Sequence, residues 1–488
     1  MISDNDIVKL ILGFKIKHLR LQHKVSYQEL SKQTGLSVSY LNDIEKGKKY
    51  PKPDKISALA QAFQLDYDEL VSTRADKKLR PVIELLNSGF FKFFPLDEFG
   101  ISPDKLIDVF SNSPDRISAF ISTILKMVRS YQIEKEHFYR IALRSYQDMH
   151  DNYFPELEEA VQSFKKEMKL KNKVPYGYEV LADILRLQYD ITVDRVSLAK
   201  NKKLRKFRSY YQSEKKVLYI NEGLSEAQET FILSKELGFQ YLKSEERSFE
   251  TQLNKEASFE KLLSNFKASY FAAALLMDAD ELVKDIELVA RSTVWKPSLI
   301  GKLLQKYQVT PETLLQRFTN LLPHHFNIRD LFFIRLQSTN DLIKYDITKE
   351  LHLSQLHNPY HTELDEHLCH RWVSISAIKN IRSKKADFLI DAQVSEYWQT
   401  NSSYFCISVA EPDNYKGDGA SSITLGLLMT DGLKGAFNFI KDPDLRKKTV
   451  HTTCERCSIT DCDNRVAPPT YTDKQQMEEE LERELKTL

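Results

Sequence analysis

Three cysteines stand within nine residues near the C-terminus, as Cys454-x-x-Cys457-x4-Cys462, on a stretch with no strong helical pattern. Thiolates so spaced can converge on one ion or cluster; the bland alternative is a grouping of reduced thiols with no ligand. Structural zinc wants a fourth donor, for which His451, Cys369 and Cys406 are the candidates. A [4Fe–4S] cluster held by three thiolates leaves its fourth iron to another ligand, so spacing keeps both chemistries open. At the other end of the chain the chemistry is cationic. Residues 1–65 hold ten lysines and Arg20 against Asp4, Asp6, Glu29, Asp43, Glu45 and Asp54, a local charge of +5 in a molecule whose net charge is +1. A basic surface facing a polyanion is therefore confined to this segment.

The elements that must carry that surface are short helices. Ile16/Leu19 and Leu41/Ile44 have the i, i+3 spacing of a buried stripe, which Ile56, Leu59 and Phe63 extend. Ser26-x-x-Glu29 and Asp66-x-x-Glu69 have the capping-box pattern of helix starts. Between the second and third helices lies Thr34-Gly35-Leu36-Ser37: a glycine for a left-handed turn, a leucine for the core and a serine to cap the next helix. This is a helix-turn-helix pattern.

The core ELSKQTGLSVSYLNDIEKG, with the residues around it, resembles the phage Cro/repressor-type (XRE) DNA-binding domain. The resemblance implies that the helix after the turn enters the major groove of double-stranded DNA. Ser37, Val38, Ser39, Tyr40 and Asn42 would then face base edges, with Asn42 suited to adenine and Val38 to a thymine methyl. Gln28 would reach a phosphate or an edge base, and Lys46, Lys48 and Lys49 phosphates. A helical protein-interaction domain with a lysine rim is the competing reading. One such domain makes few contacts, so a homodimer on a two-fold operator is expected.

Farther along, Lys216–Asn221 (KVLYIN) reads as a strand and Ser225–Leu242 as a helix. With the later NFKASYFAAALLM they resemble the ImmA/IrrE-type metallopeptidase domain, whose helix carries HExxH for zinc. The matching positions here are Lys235, Glu236 and Phe239, and the third-ligand position holds Asn265. A charged ammonium and a phenyl ring offer no lone pair, and an amide oxygen alone is a poor zinc ligand. Zinc proteolysis is expected to be absent, with Glu236 paired to a neighbouring lysine.

Beyond Pro323 the texture turns to β, with LFFIRL (Leu331–Leu336), YFCISV (Tyr404–Val409) and SITLGLL (Ser422–Leu428) as strands. The whole order then resembles the short-chain fatty acyl transcriptional regulators, through FFIRL, Cys369-His-Arg-Trp372 and CxxCxxxxC followed by Arg465 and Pro468-Pro469. In ISVAEP the chain departs from the family's I-A-R-T, with Glu411 near the missing arginine. The resemblance implies a short acyl-CoA effector and favours an iron–sulfur cluster on Cys454, Cys457 and Cys462, with zinc the alternative. Arg371, Lys379, Arg382, Lys384 and Lys385 are candidate cations for the CoA phosphates, or a solvated face. Trp372 and Trp398 read as core.

The expected fold is mainly α with an α+β C-terminal half. It comprises a five-helix helix-turn-helix (1–74), a helical spacer or dimerisation region (80–170), an ImmA/IrrE-like pseudo-metallopeptidase domain (171–322), an α+β ligand-binding domain with the cysteine cluster (323–470) and a charged C-terminal helix (471–488). Within the spacer, Ile117, Phe120, Ile121, Ile124 and Met127 form a helical stripe, and a long helix is expected around 134–168, part of which Pro155 would start or kink. The length of 488 residues, with 42% hydrophobic and 28% charged, fits about three domains and excludes collagen-like and mostly disordered chains. The longest apolar run, Phe271–Met277, is far short of the ~18 residues of a membrane helix. With an N-terminus unlike a signal peptide and too few cysteines for a disulfide framework, a cytoplasmic location is expected. The function so read is a non-enzymatic transcriptional regulator. Its rivals are a redox sensor that binds no acyl-CoA and a peptidase that cleaves a repressor.

Overall fold

A computed structural model describes residues 4–72, 96–102, 105, 135–170, 175–205, 207–244, 246–247, 258–338, 342, 344–353, 366–384, 386–412 and 419–487. The stripe from Ile117 to Met127 and the candidate cation Lys385 lie outside them. The chain forms two compact units, Met1–Tyr146 with Asn254–Leu263, and Gln147–Leu253 with Ser264–Leu488. Among the described residues no helix is long and apolar enough to cross a membrane.

The first unit opens with five helices: α1 (Asp4–Gln22), α2 (Tyr27–Thr34), α3 (Val38–Glu45), α4 (Pro53–Ala62) and α5 (Tyr67–Val71). Their inward faces supply one core of Leu12, Ile16, Leu30, Leu36, Leu41, Ile44, Ile56, Leu59, Phe63 and Leu70. Ser26 and Glu29 form a reciprocal capping box on α2, which satisfies two backbone donors at once. Asp66 caps α5 only by position, because its side chain makes no hydrogen bond to the helix start; the capping box expected at Asp66–Glu69 is absent. α1 and α3 approach so closely that a Cβ on Gly13 would meet the Ile44 carbonyl oxygen at 2.4 Å. Hence glycine is needed there.

In place of one long helix around 134–168 there are two, Lys135–Met149 and Pro155–Glu167. Asp151 and Asn152 take positive φ between them, and Pro155 opens the second, where its missing N–H costs nothing.

The second unit contains a small sheet of β1 (Thr192–Asp194), β2 (Ser209–Gln212) and β3 (Val217–Ile220), in the order β1-β3-β2. The helix Glu226–Tyr241 follows, capped by Ser225 and Gln228, and buries Ile232, Leu233, Leu237 and Phe239. Later come the helices Phe259–Leu276 and Pro311–Phe326. Pro323 lies inside the latter, and the strand expected from Leu331 begins there.

The α+β half is a six-stranded sheet, β5-β4-β8-β7-β6-β9, from β4 (Leu331–Ser338), β5 (Tyr345–His352), β6 (Leu389–Tyr397), β7 (Ser403–Pro412), β8 (Ala420–Leu428) and β9 (Lys447–Val450). Only the β6–β9 pairing is parallel. The helix Val373–Lys384 buries Ile375, Ile378 and Ile381 in a cluster with Phe332, Ile334, Trp372, Tyr404 and Cys406. Trp372 is core as expected, but Trp398 is 40% exposed and donates its Nε1–H to Ser458 Oγ at 2.8 Å. The last helix, Thr470–Leu485, buries no residue and leaves Met477, Leu481 and Leu485 exposed. The architecture is a largely helical front and IrrE-like part with a sheet-containing C-terminal half.

Candidate nucleic-acid interface and cysteine loop

The turn before α3 is built by three neighbouring residues. Gly35 adopts φ +68° and returns its N–H to the Ser31 carbonyl at 2.9 Å; Leu36 is buried; and Ser37 Oγ accepts from the Tyr40 N–H at 3.2 Å. The turn thereby fixes the axis of α3. Its first residues face outward: Ser37, Val38 and Ser39 are exposed, and Tyr40 and Asn42 half-buried. Gln28, Lys48 and Lys49 are exposed and Lys46 half-buried. Lys49 is partly engaged, with Nζ 2.8 Å from Asp43 and 5.6 Å from the centre of the Tyr40 ring.

A charged group that patterning does not reveal holds α3 from behind. Arg20 donates from Nε (2.6 Å) and Nη2 (2.9 Å) to the two oxygens of Glu45, which is 1% exposed, and Tyr27 donates its hydroxyl to the same carboxylate at 2.7 Å. The guanidinium lies 4.0 Å from the centre of the Tyr27 ring. The hydrogen bond to Glu45 raises the Arg20 pKa despite burial, and burial followed by its own hydrogen bond to Glu45 pushes the Tyr27 hydroxyl up to about 12. The group ties α1, α2 and the end of α3 together.

The positions that match HExxH gather in one cavity of about 330 Å³, lined by Lys235, Glu236, Phe239 and Asn265. Glu236 pairs with an arginine rather than the expected lysine. Arg247 Nη1 and Nη2 donate to its two oxygens at 2.8 and 2.5 Å, and Gln240 Nε2 adds a third bond at 2.7 Å. Both partners are buried, with side chains 3% and 7% exposed. Both oxygens of the surviving carboxylate are thus engaged by donors of the chain itself. Lys235 Nζ lies 5.7 Å from the centre of the Phe239 ring.

The cysteine loop is folded around Arg465. Its Nη1 donates to the carbonyls of Cys454 (2.8 Å) and Ala467 (3.2 Å), and its Nη2 to those of Cys457 (2.8 Å) and Ile459 (2.6 Å). The segment 366–369 pins the loop from one side: the Cys454 N–H donates to the His367 carbonyl at 2.8 Å, Glu366 pairs with Arg456 at 2.6 Å, and His367 Nδ1 lies 2.7 Å from Glu455. Cys454 and Cys457 are buried and Cys462 half-buried. Burial raises the Cys454 pKa, against N–H groups of Val466 and Ala467 that donate to its sulfur. Cys369 lies beside this loop, where its sulfur accepts the His451 N–H at 3.4 Å. Burial pushes it up to about 11. Cys406 is buried in the sheet core, where burial pushes it up to about 12. Burial, then the Arg456 and Arg465 charges, lower the His451 pKa, which favours the neutral imidazole that can ligate. The donors are of the soft type that suits zinc or an iron–sulfur cluster. Among the described residues, no three His, Cys, Asp or Glu side chains stand in metal-binding reach of one another.

Of the candidate cations, Arg371 donates to the Thr449 carbonyl at 3.4 Å and Lys379 Nζ lies 3.2 Å from His370 Nδ1. Burial, then Arg446 and Arg371, lower the pKa of Lys448, a cation the sequence patterning did not single out. Arg382 and Lys384 lie in the last turn of the helix Val373–Lys384.

Comparison with known proteins adds the following. Residues 16–70 match the helix-turn-helix family, and residues 188–319 match the IrrE N-terminal-like domain. No curated protein sequence matches the chain. Among solved structures, a Mycobacterium tuberculosis transcriptional regulator is similar at 18% identity with a TM-score of 0.48, covering 68% of this chain and 94% of that one. The front segment is thus a helix-turn-helix of the DNA-binding kind, followed by an IrrE-like domain.

Proposed function

We propose that the chain is a dimeric, sequence-specific transcriptional regulator without peptidase activity, whose operator affinity responds to a short-chain acyl-CoA, to a cluster on Cys454, Cys457 and Cys462, or to both. The observation that carries this reading is the exposed start of α3, braced from behind by the buried Arg20–Glu45 pair. A helix so held can lay Ser37, Val38, Ser39, Tyr40 and Asn42 against base edges without bending, while Gln28, Lys46, Lys48 and Lys49 meet the backbone. Loss of proteolysis is supported by Lys235, Phe239 and Asn265, and by an Arg247 that occupies the surviving glutamate.

The acyl-CoA part rests on the resemblance of the C-terminal third. It is supported by Arg371 and Arg446, whose charges lower the Lys448 pKa although Arg446 also pairs with Asp391 at 2.8 Å; such cations would suit phosphates. A [4Fe–4S] cluster, or zinc, would be held by Cys454, Cys457 and Cys462, with Cys369 or His451 a candidate further donor; when bound it would supply redox chemistry or cross-linking of the loop. A redox sensor that binds no acyl-CoA is the second reading, favoured by the N–H groups that donate to the Cys454 sulfur. A homodimer follows from the small contact surface of one helix-turn-helix. Allostery here requires the effector to bind the operator-competent arrangement and its alternative with different affinity.

The test is operator binding by the full chain with and without acetyl-CoA or propionyl-CoA, after purification without oxygen. A shift of operator affinity by either thioester supports the reading. Identical affinities remove acyl-CoA from it, and a colourless, zinc-loaded protein removes the cluster.

A further inference from the structure

The cavity at the altered peptidase positions has a chemistry of its own, independent of the operator and of the cysteine loop. Five basic side chains line it, Arg208, Lys235, Arg247, Arg335 and Lys349, against three acidic ones, Glu236, Glu312 and Glu411. Two of the acids are already matched, Glu236 by Arg247 and Glu312 by Lys349 at 2.9 Å and Arg335 at 3.7 Å. Among the described residues, basic side chains outnumber acidic ones in the lining. Among the described residues, the Nε–H groups of Arg208 and Arg335 are buried and have no hydrogen-bond partner. Buried donors left unmatched are costly, so their presence in a cavity lining calls for an acceptor. Burial would raise the Glu312 pKa, yet Lys349, Arg335 and Arg208 together hold it down to about 2, a sign of the positive potential there.

We infer that this cavity is a binding site for a small organic dianion, a phosphate monoester or a dicarboxylate, received by Arg208, Arg335, Lys235 and Lys349. The unmatched Nε–H groups of Arg208 and Arg335 call for acceptor oxygens, and guanidinium forks suit both phosphate and carboxylate oxygens. A volume of about 330 Å³ lies at the small end of ligand sites. The neighbouring 860 Å³ groove is no rival for the charged group, since among the described residues its charged lining is Lys302 against Glu226, Asp387 and Glu411. Gln228, Thr310 and Glu411 line both spaces, so an apolar substituent on the anion has room to extend into the groove. The residues that removed zinc, above all Lys235, have turned a cation site into an anion site.

The experiment is calorimetric titration of the full chain at low salt with inorganic phosphate and, separately, with succinate. Binding of either in the millimolar range or tighter is expected, with the preferred probe separating the phosphate from the dicarboxylate source. Arg208→Gln should weaken it about tenfold or more, Arg208→Lys less, and Arg186→Gln, on an exposed helix face, not at all. If Arg208→Gln does not fold, as judged by its melting curve, Arg335→Gln takes its place. No binding of either probe, or equal binding by wild type and the folded cavity variant, overturns the inference, as does an equal loss in Arg186→Gln.

Discussion

At the residue scale, the side chains that hold the sites together are ones that sequence spacing could not pair. Arg20 and Glu45 are 25 positions apart and meet only because α1 and α3 pack; Glu236 and Arg247 meet across the end of a helix, and Arg465 gathers four carbonyls of its own loop. Patterning exposed Glu236 and Arg465 as residues of interest but not their partners, because such pairing depends on tertiary geometry. The Arg20–Glu45 pair has a definite consequence. Glu45→Gln leaves a buried guanidinium without its countercharge, which should lower stability by about 3–5 kcal/mol in urea unfolding of the full chain; an unchanged midpoint would show that α3 is held otherwise. On DNA, Asn42→Ala should relax the preference at one base pair, at about 1–3 kcal/mol of discrimination. Lys48→Ala should weaken all sequences evenly and reduce the salt slope by roughly one.

Cys406 carries a pH prediction at the same scale. Burial holds its thiol pKa above the ordinary 9.0, at about 12, so folding favours the protonated form. That contribution is fully present below pH 9 and is lost as pH rises toward 12. Unfolding free energies measured from pH 8 to 11 should fall, and fall less steeply in Cys406→Ala. Parallel slopes for the two proteins would contradict the assignment.

At the scale of elements, local rules were legible where the physics is local. Ser26/Glu29 and Gly35-Leu36-Ser37 act within a few residues of themselves, and each appears where its chemistry calls for it. Asp66 has the right spacing without the bond. Pro155 and Pro323 show that a proline alone does not settle a boundary: the first opens a helix and the second lies within one. The lost zinc positions were readable because HExxH is a one-helix motif, whereas, Lys235 apart, the basic lining of the same cavity is drawn from Arg208 just before β2, Arg247, Arg335 on β4 and Lys349 on β5. Close approach in the sheet is testable at Gly426, where a Cβ would lie 2.2 Å from the Phe332 ring. Gly426→Ala should destabilise the chain by about 1–3 kcal/mol, visible as a lower melting temperature; an unchanged one would mean that the β4–β8 pair yields easily.

At the scale of the whole molecule, the account joins a DNA-reading front segment to an IrrE-like domain proposed to bind an anion rather than cleave peptides, and to a sheet domain with a thiol loop. Its central claim is that α3 reads bases, and all further regulation acts on that reading. The most direct measurement is selection of bound duplexes from a random-sequence library by the full chain at moderate salt, in parallel with the Asn42→Ala chain. The account predicts a defined sequence enriched by the wild type, with its preference relaxed at one position per half-site in the variant. Equal retention of all duplexes by the wild type, or an identical enriched sequence from both proteins, would contradict it.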